Sequence, residues 1–106
     1  MTDKAIVESH LVRLEKLGAV RAKPMFGEWG VYLNESFAAI IGEGRLYLKV
    51  KGVPENVVEE LFGNRNQPYD GAKNYAEAEA TDFEDAEWVA AVKSALLAAR
   101  VYKAEI

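Results

Sequence analysis

The chain has 106 residues, of which 50% are hydrophobic, and its formal net charge is −4 at pH 7. This length fits one globular domain with a single core, and no linker divides it, so we expect one domain over residues 1–106. The absence of cysteine excludes disulfides, thiolate metal sites and cysteine nucleophiles. No apolar run is long enough to span a membrane and the N-terminus lacks a signal-peptide pattern, so the expected location is the cytoplasm.

The charges are unevenly distributed along the chain. Residues 13–51 contain seven basic and four acidic side chains, whereas residues 52–106 contain five basic and eleven acidic ones. The acidic total disfavours non-specific nucleic-acid binding, which depends on neutralising phosphates. The uneven distribution still allows a local basic face within the first half of the chain.

The first element in chain order is a helix. Apolar residues recur at three- and four-residue spacing and predict a helix over residues 3–17. Gly18 is its expected end, because glycine adopts the left-handed conformation at low cost.

Four short apolar runs follow, and they predict strands over residues 20–26, 30–33, 37–41 and 45–50. The predicted turns are Gly27-Glu28-Trp29-Gly30, Asn34-Glu35 and Gly42-Glu43-Gly44. Connections of two to four residues join antiparallel neighbours, so the four strands are expected to form a meander.

The second half predicts two more helices and two short strands. A helix begins at Pro54 and ends at Gly63, and weaker strand patterns cover residues 68–70 and 74–80. Thr81 and Glu84 have the spacing of a capping box before a final helix that runs to about Tyr102. The expected fold is α+β in the order α-β4-α-β2-α, with helices packed on one face of a mostly antiparallel sheet.

Several short motifs within the predicted meander resemble a known family. They are Lys23-Pro24-Met25-Phe26-Gly27, Gly30-Val31-Tyr32-Leu33, Phe37-Ala38 and Gly44-Arg45-Leu46-Tyr47-Leu48-Lys49. In this order and spacing they resemble the N-terminal domain of the TfoX (Sxy) competence-regulator family, whose members usually have Arg-Arg where this chain has Lys23-Pro24. The family's structural marks here are Met25, Phe26, Gly27, Gly30 and Gly44.

The resemblance implies a secretion-chaperone-like α+β fold, a tendency to form homodimers and a regulatory role alongside other transcription factors. It supplies no catalytic residues. Full-length competence regulators have a second, C-terminal domain, and this chain ends after the first, so a stand-alone domain is expected.

The residues themselves offer no catalytic or metal-binding constellation. His10 is the only histidine, it has no partners at ligand spacing, and it is interpreted as a structural residue of the first helix. Gly27-Glu28-Trp29-Gly30 lacks the lysine of a phosphate-binding loop. The carboxylates at 82, 84, 85 and 87 fit the start of a helix, where the helix dipole favours negative charge. No catalytic residue, metal or cofactor is predicted.

The most interesting constellation is a candidate face on the fourth strand. Alternation places Arg45, Tyr47, Lys49 and Lys51 on one side of this strand. This row fits a solvated strand face, a protein interface anchored by Trp29, Tyr32 and Tyr47, or a track for a phosphate backbone. Trp29, in its predicted turn, either tucks over the sheet edge or is exposed for a partner.

These observations lead to two functional hypotheses. The first is a non-enzymatic regulatory module that acts through protein–protein contacts, with a transcription factor as one candidate partner. The alternative is a regulator that contacts DNA or RNA directly through Arg45, Lys49 and Lys51, together with Arg21 and Lys23. The acidic net charge makes direct nucleic-acid binding the weaker hypothesis.

Overall fold

The computed structural model describes residues 1–63 and 74–105 and shows one five-stranded antiparallel sheet flanked by helices. The strands follow one another in space as they do in the chain: β1 (Val20–Met25), β2 (Glu28–Leu33), β3 (Ser36–Gly42), β4 (Arg45–Lys49) and β5 (Tyr75–Ala78). The helices are α1 (Lys4–Leu14), α2 (Glu55–Phe62) and α3 (Ala86–Ala98), with a 3-10 helix (Ala80–Glu84) before α3. The predicted α+β meander is therefore confirmed. The segment 74–80 joins the sheet as β5, and the strand predicted at 68–70 lies outside the described residues.

The hydrophobic core lies between one face of the sheet and the helices. Strand alternation turns Val31, Leu33, Ile41, Leu46 and Leu48 to this face, where they are fully buried. Buried residues from all three helices belong to the same core: Val7, Leu14, Val58, Val92 and Leu96. The described helices all pack on this face. The opposite face of the sheet is therefore not covered by any described helix, and we call it the open face.

The turn between β1 and β2 is two residues long, so the prediction of a turn over Gly27–Gly30 was wrong. Met25 pairs with Glu28, which leaves Phe26 and Gly27 as the turn. Their φ angles are 49° and 81°, as a type I′ hairpin turn requires. Gly30 lies inside β2 for a different reason. A Cβ there would come within 2.9 Å of Met25 Cε and 3.1 Å of Phe37 Cε1, so the missing side chain makes room for both.

A β-bulge in β3 decides which way Phe37 points. Val31 pairs with Ala39 but Tyr32 pairs with Phe37, so Ala38 is an extra residue in β3. Simple alternation would put Phe37 on the same face as Ala39, which is fully buried. The bulge instead turns Phe37 to the open face, next to Tyr32.

The Glu28 carboxylate joins the segment before α1 to both hairpin turns at one end of the sheet. It accepts hydrogen bonds from the Thr2 amide and hydroxyl, both at 2.8 Å, and from the Glu43 amide at 3.0 Å. The Thr2 hydroxyl in turn accepts the Gly44 amide at 3.1 Å, and His10 Nε2 donates to the Gly44 carbonyl at 2.9 Å. These bonds hold the β3–β4 turn against α1 and β2.

The first helix does not end at Gly18 as predicted, and Gly18 instead lies against a second polar contact. Helix α1 ends at Leu14 rather than at residue 17, and a turn follows it. Gly18 is needed for close approach, because a Cβ would lie 2.8 Å from Asn34 Oδ1. That oxygen accepts the Ala19 amide, while Asn34 Nδ2 donates to the Lys103 carbonyl, each at 2.8 Å.

The helices in the second half begin and end partly as predicted. Pro54 precedes α2, and Gly63 ends it with a φ of 58°. The prediction of a Thr81–Glu84 capping box was wrong. This stretch forms the 3-10 helix, which places Phe83 in the core. Asp85 caps α3 instead, by accepting the Glu87 amide at 2.9 Å. Helix α3 ends at Ala98 rather than near Tyr102, whose buried hydroxyl donates to the Leu17 carbonyl at 2.7 Å.

Replacing Phe26 by asparagine is expected to stabilise the protein. The Phe26 side chain is fully exposed and contributes no buried contact, whereas its left-handed backbone is costly for a bulky residue and favourable for asparagine before glycine. We expect Phe26→Asn to raise the free energy of unfolding by about 1 kcal/mol and the melting temperature by roughly 4–8 °C. Thermal and urea unfolding measure the change, with Phe26→Ala as the control that removes the ring only. A Phe26→Asn variant less stable than the wild type would contradict this interpretation.

Acid is expected to weaken the Glu28 contacts. The hydrogen bond from the Glu43 amide, followed by the one from the Thr2 amide, lowers the pKa of Glu28 below its ordinary value of 4.5. A lowered pKa in the folded protein means that this stabilisation is present above the ordinary value and is lost as the pH falls through the lowered pKa.

Glu28→Gln should therefore cost about 1–2 kcal/mol at neutral pH and should flatten the fall in stability on acidification. Urea unfolding across pH 3–7 tests this, with Glu8→Gln on the exposed side of α1 as the control. Equal pH dependence in the wild type and Glu28→Gln would refute the assignment.

Candidate interaction face

The open face presents a mixed aromatic and basic surface built from four strands. The register aligns Lys23, Gly30, Ile40 and Tyr47 across β1 to β4, with Arg21, Tyr32 and Phe37 in the next row. Tyr32, Phe37 and Ile40 are half-buried here, although no described helix covers them. Large apolar side chains thus remain partly accessible at the centre of the sheet.

Cations pack against the aromatic rings of this face. The Arg21 guanidinium lies 4.4 Å from the centroid of the Tyr32 ring, and Lys23 Nζ lies 5.8 Å from the same centroid. Phe37 meets Tyr32 edge to face, with 5.7 Å between centroids, and Lys49 Nζ lies 5.7 Å from the Phe37 ring. The charged groups of these three side chains therefore lie near the aromatic rings, whose electron-rich faces attract them.

The strand row predicted from β4 is only partly present. Arg45 Nη1 lies 3.5 Å from Glu77 Oε1 on β5, so its charge is paired. Tyr47 is only 6% exposed, and burial, followed by the Glu77 charge, raises its pKa. Tyr47 is thus part of the floor of this face rather than a projecting anchor. Lys51 lies in the turn after β4, so its expected place in the strand row was wrong.

Trp29 does not belong to the open face. It lies within β2, pairs with Ile41, and packs half-buried against the core. Its indole Nε1 donates to the Thr2 carbonyl at 3.0 Å. Trp29 is therefore held half-buried against the core rather than exposed for a partner, and it meets Tyr47 only in the groove described next.

A groove lies at the end of the sheet formed by the β1–β2 and β3–β4 turns. Its volume is about 280 Å³, and its lining residues are Met25, Phe26, Glu28, Trp29, Ile40, Gly42, Glu43 and Tyr47. Phe26 rises beside it with a relative exposure of 101%. The sequence motif identified Phe26 and Gly27 as a family mark, but it could not show the groove, because its walls come from four separate strands.

His10 has a structural role. It is buried at 8% exposure, its Nε2 must donate because the Gly44 carbonyl can only accept, and its Nδ1 accepts Arg13 Nη1 at 3.3 Å. Within residues 1–63 and 74–105, no group of three His, Asp or Glu side chains could hold a metal ion. In the same part of the chain no helix is long and apolar enough to cross a membrane.

Comparison with known proteins places the chain in a family. None of the curated proteins matches it. The family model described as the TfoX N-terminal domain matches residues 13–99, which is most of the chain and runs from within α1 to the end of α3. This range contains the whole described sheet, including the open face and both turns beside the groove. The chain therefore belongs to the TfoX N-terminal domain family.

Proposed function

We propose that this domain is a non-enzymatic regulatory module, of the competence-regulator type, that binds another protein through the open face of its sheet. The observation that supports this most is the half-buried group of Tyr32, Phe37 and Ile40 in two adjacent rows, which no described element covers. Aromatic residues and arginine are enriched in protein interfaces, and an apolar centre with a polar rim is their usual arrangement. Arg21, Lys23 and Lys49 supply such a rim.

The family supports the regulatory part of the proposal. Membership of the TfoX N-terminal domain family suggests a competence-regulator-like module. A transcription factor is accordingly one candidate partner.

Direct nucleic-acid binding through the same face is the weaker candidate. Arg45 is paired with Glu77, and Arg21 is paired with Glu35 at 2.7 Å. Lys23 and Lys49 are spread over two strands that are not neighbours, so they do not form a continuous track for phosphates. Together with a net charge of −4, this arrangement offers little counterion release.

Homodimerisation is a further part of the proposal. The outer edge of β1 contains Pro24, which has no backbone N–H and discourages the addition of another strand. A dimer is therefore not expected to extend the sheet at this edge. It would compete with the partner protein if it used the open face.

Photo-crosslinking in cells can locate the partner. Benzoylphenylalanine in place of Tyr32 or Phe37 keeps an aromatic ring on the open face and should form adducts with a defined protein. The same group in place of Val12, an exposed residue of α1, is the matched control and should not form those adducts. An adduct between two copies of the chain would indicate the homodimer. Identical adduct patterns from all three positions would contradict binding through the open face.

Nucleic acid should bind weakly at most. Titration of labelled double- and single-stranded DNA and RNA at low salt is expected to give dissociation constants no tighter than the ~10⁻⁴–10⁻⁶ M of non-specific binding. Arg45→Ala and Lys49→Ala should leave these values nearly unchanged. Tight, salt-dependent binding that both substitutions weaken would favour the nucleic-acid hypothesis instead.

A further inference from the structure

Phe26 combines two costs for which the described chain shows no internal compensation. Its ring is fully exposed, and its backbone has a φ of 49° in a turn where asparagine is favoured. A large aromatic residue in a left-handed conformation is a true outlier, and such outliers concentrate at functional positions. Both costs would be offset if the ring were buried in a complex.

The groove beside Phe26 has the size of a side-chain pocket. Its volume of about 280 Å³ lies just below the ~300–1,000 Å³ of typical small-molecule sites. Met25, Ile40 and the buried ring of Tyr47 give it an apolar lining. It therefore suits one or two large apolar side chains held against Phe26.

The two charged side chains that line the groove are both carboxylates. Glu28 and Glu43 line it, and the hydrogen bonds that Glu28 accepts favour its ionised form. Glu77 lies beside Tyr47 but is paired with Arg45, so this pair adds no net charge. The amino group of the chain lies near Glu28 and opposes one of the two carboxylates. Lys23 does not reverse this balance, because its Nζ lies over Tyr32 in the next row of the face.

We propose that this groove binds a segment of a partner protein in which an aromatic or large aliphatic anchor is flanked by lysine or arginine. The proposal rests on the proposed function, because it names the kind of segment that the protein-binding domain takes. The anchor would fill the groove beside Phe26, and the basic residues would face Glu43 and Glu28 at its rim. A second copy of this chain fits less well, since it would bring a second set of the same carboxylates to the rim.

Selection from a random library of phage-displayed dodecapeptides on the immobilised full chain tests the proposal. The enriched peptides should share an aromatic or large aliphatic residue next to lysine or arginine. Fluorescence anisotropy with the enriched peptides made synthetically then measures their affinity for variants of the chain.

Three variants make the binding measurement specific. Phe26→Asn should keep the fold, because it suits the turn, but weaken peptide binding by about tenfold or more. Glu43→Gln should weaken it by about two- to threefold and reduce its salt dependence. Val12→Ser, at an exposed apolar position of α1, should leave binding unchanged.

Several results would overturn the proposal. They are no enrichment, enriched peptides without basic residues, and equal peptide binding by the wild type and a folded Phe26→Asn variant. A wild-type dimer in sedimentation velocity that Phe26→Asn abolishes would assign the groove to a second copy instead. If the partner binds the open face but not the groove, crosslinks from Tyr32 and Phe37 would still form even though the peptide experiments fail. The two experiments therefore test the two proposals separately.

Discussion

The geometry of the groove and of the turns beside it depends on the hydrogen bonds that the Glu28 carboxylate accepts. Three donors from two separate segments converge on it, namely the amide and hydroxyl of Thr2 and the amide of Glu43. One of these segments leads into α1 and the other forms the β3–β4 turn, while Glu28 itself follows the β1–β2 turn. A charged acceptor makes each bond stronger than a neutral one would be. The groove and the exposed Phe26 lie directly on this junction, so its rigidity sets their geometry.

The two faces of the sheet differ in what covers them. One face is filled by aliphatic residues and closed by the helices, which gives the domain its stability. The other keeps Tyr32, Phe37 and Ile40 only half-buried, and cations rather than a further layer of structure lie over the rings. If a partner binds this face as proposed, the surface is already ordered, so little conformational entropy would be lost on binding.

Much of the fold could be predicted from the sequence, because its signals are local. The apolar runs and short connections predicted the meander, and Pro54 and Gly63 marked the bounds of α2. The predicted C-terminal ends of α1 and α3 lay beyond the ends that the structure shows. Their apolar patterns continue past the helices, because Leu17 and Tyr102 belong to the core without being helical. The Thr81–Glu84 spacing was likewise compatible with a cap, but this stretch forms the 3-10 helix, in which Phe83 is buried in the core.

The candidate site was harder to predict, because it depends on pairing between strands. A two-residue turn moved Trp29 from a loop into β2 and onto the core side. The bulge at Ala38 brought Phe37 to the open face, against simple alternation. Glu77 neutralises Arg45 only because β5 pairs with β4, a contact between residues far apart in the chain. Each of these features follows from register, which the sequence pattern alone leaves undetermined.

Amide hydrogen exchange tests the central role of Glu28 most directly. The Glu43 amide lies in an exposed turn and would exchange rapidly without its bond to the Glu28 carboxylate. We predict that this amide exchanges slowly in the wild type and about tenfold or more faster in Glu28→Gln, while amides in the centre of β3 change little. Equal exchange of the Glu43 amide in the two proteins would contradict the view that Glu28 fixes this end of the sheet.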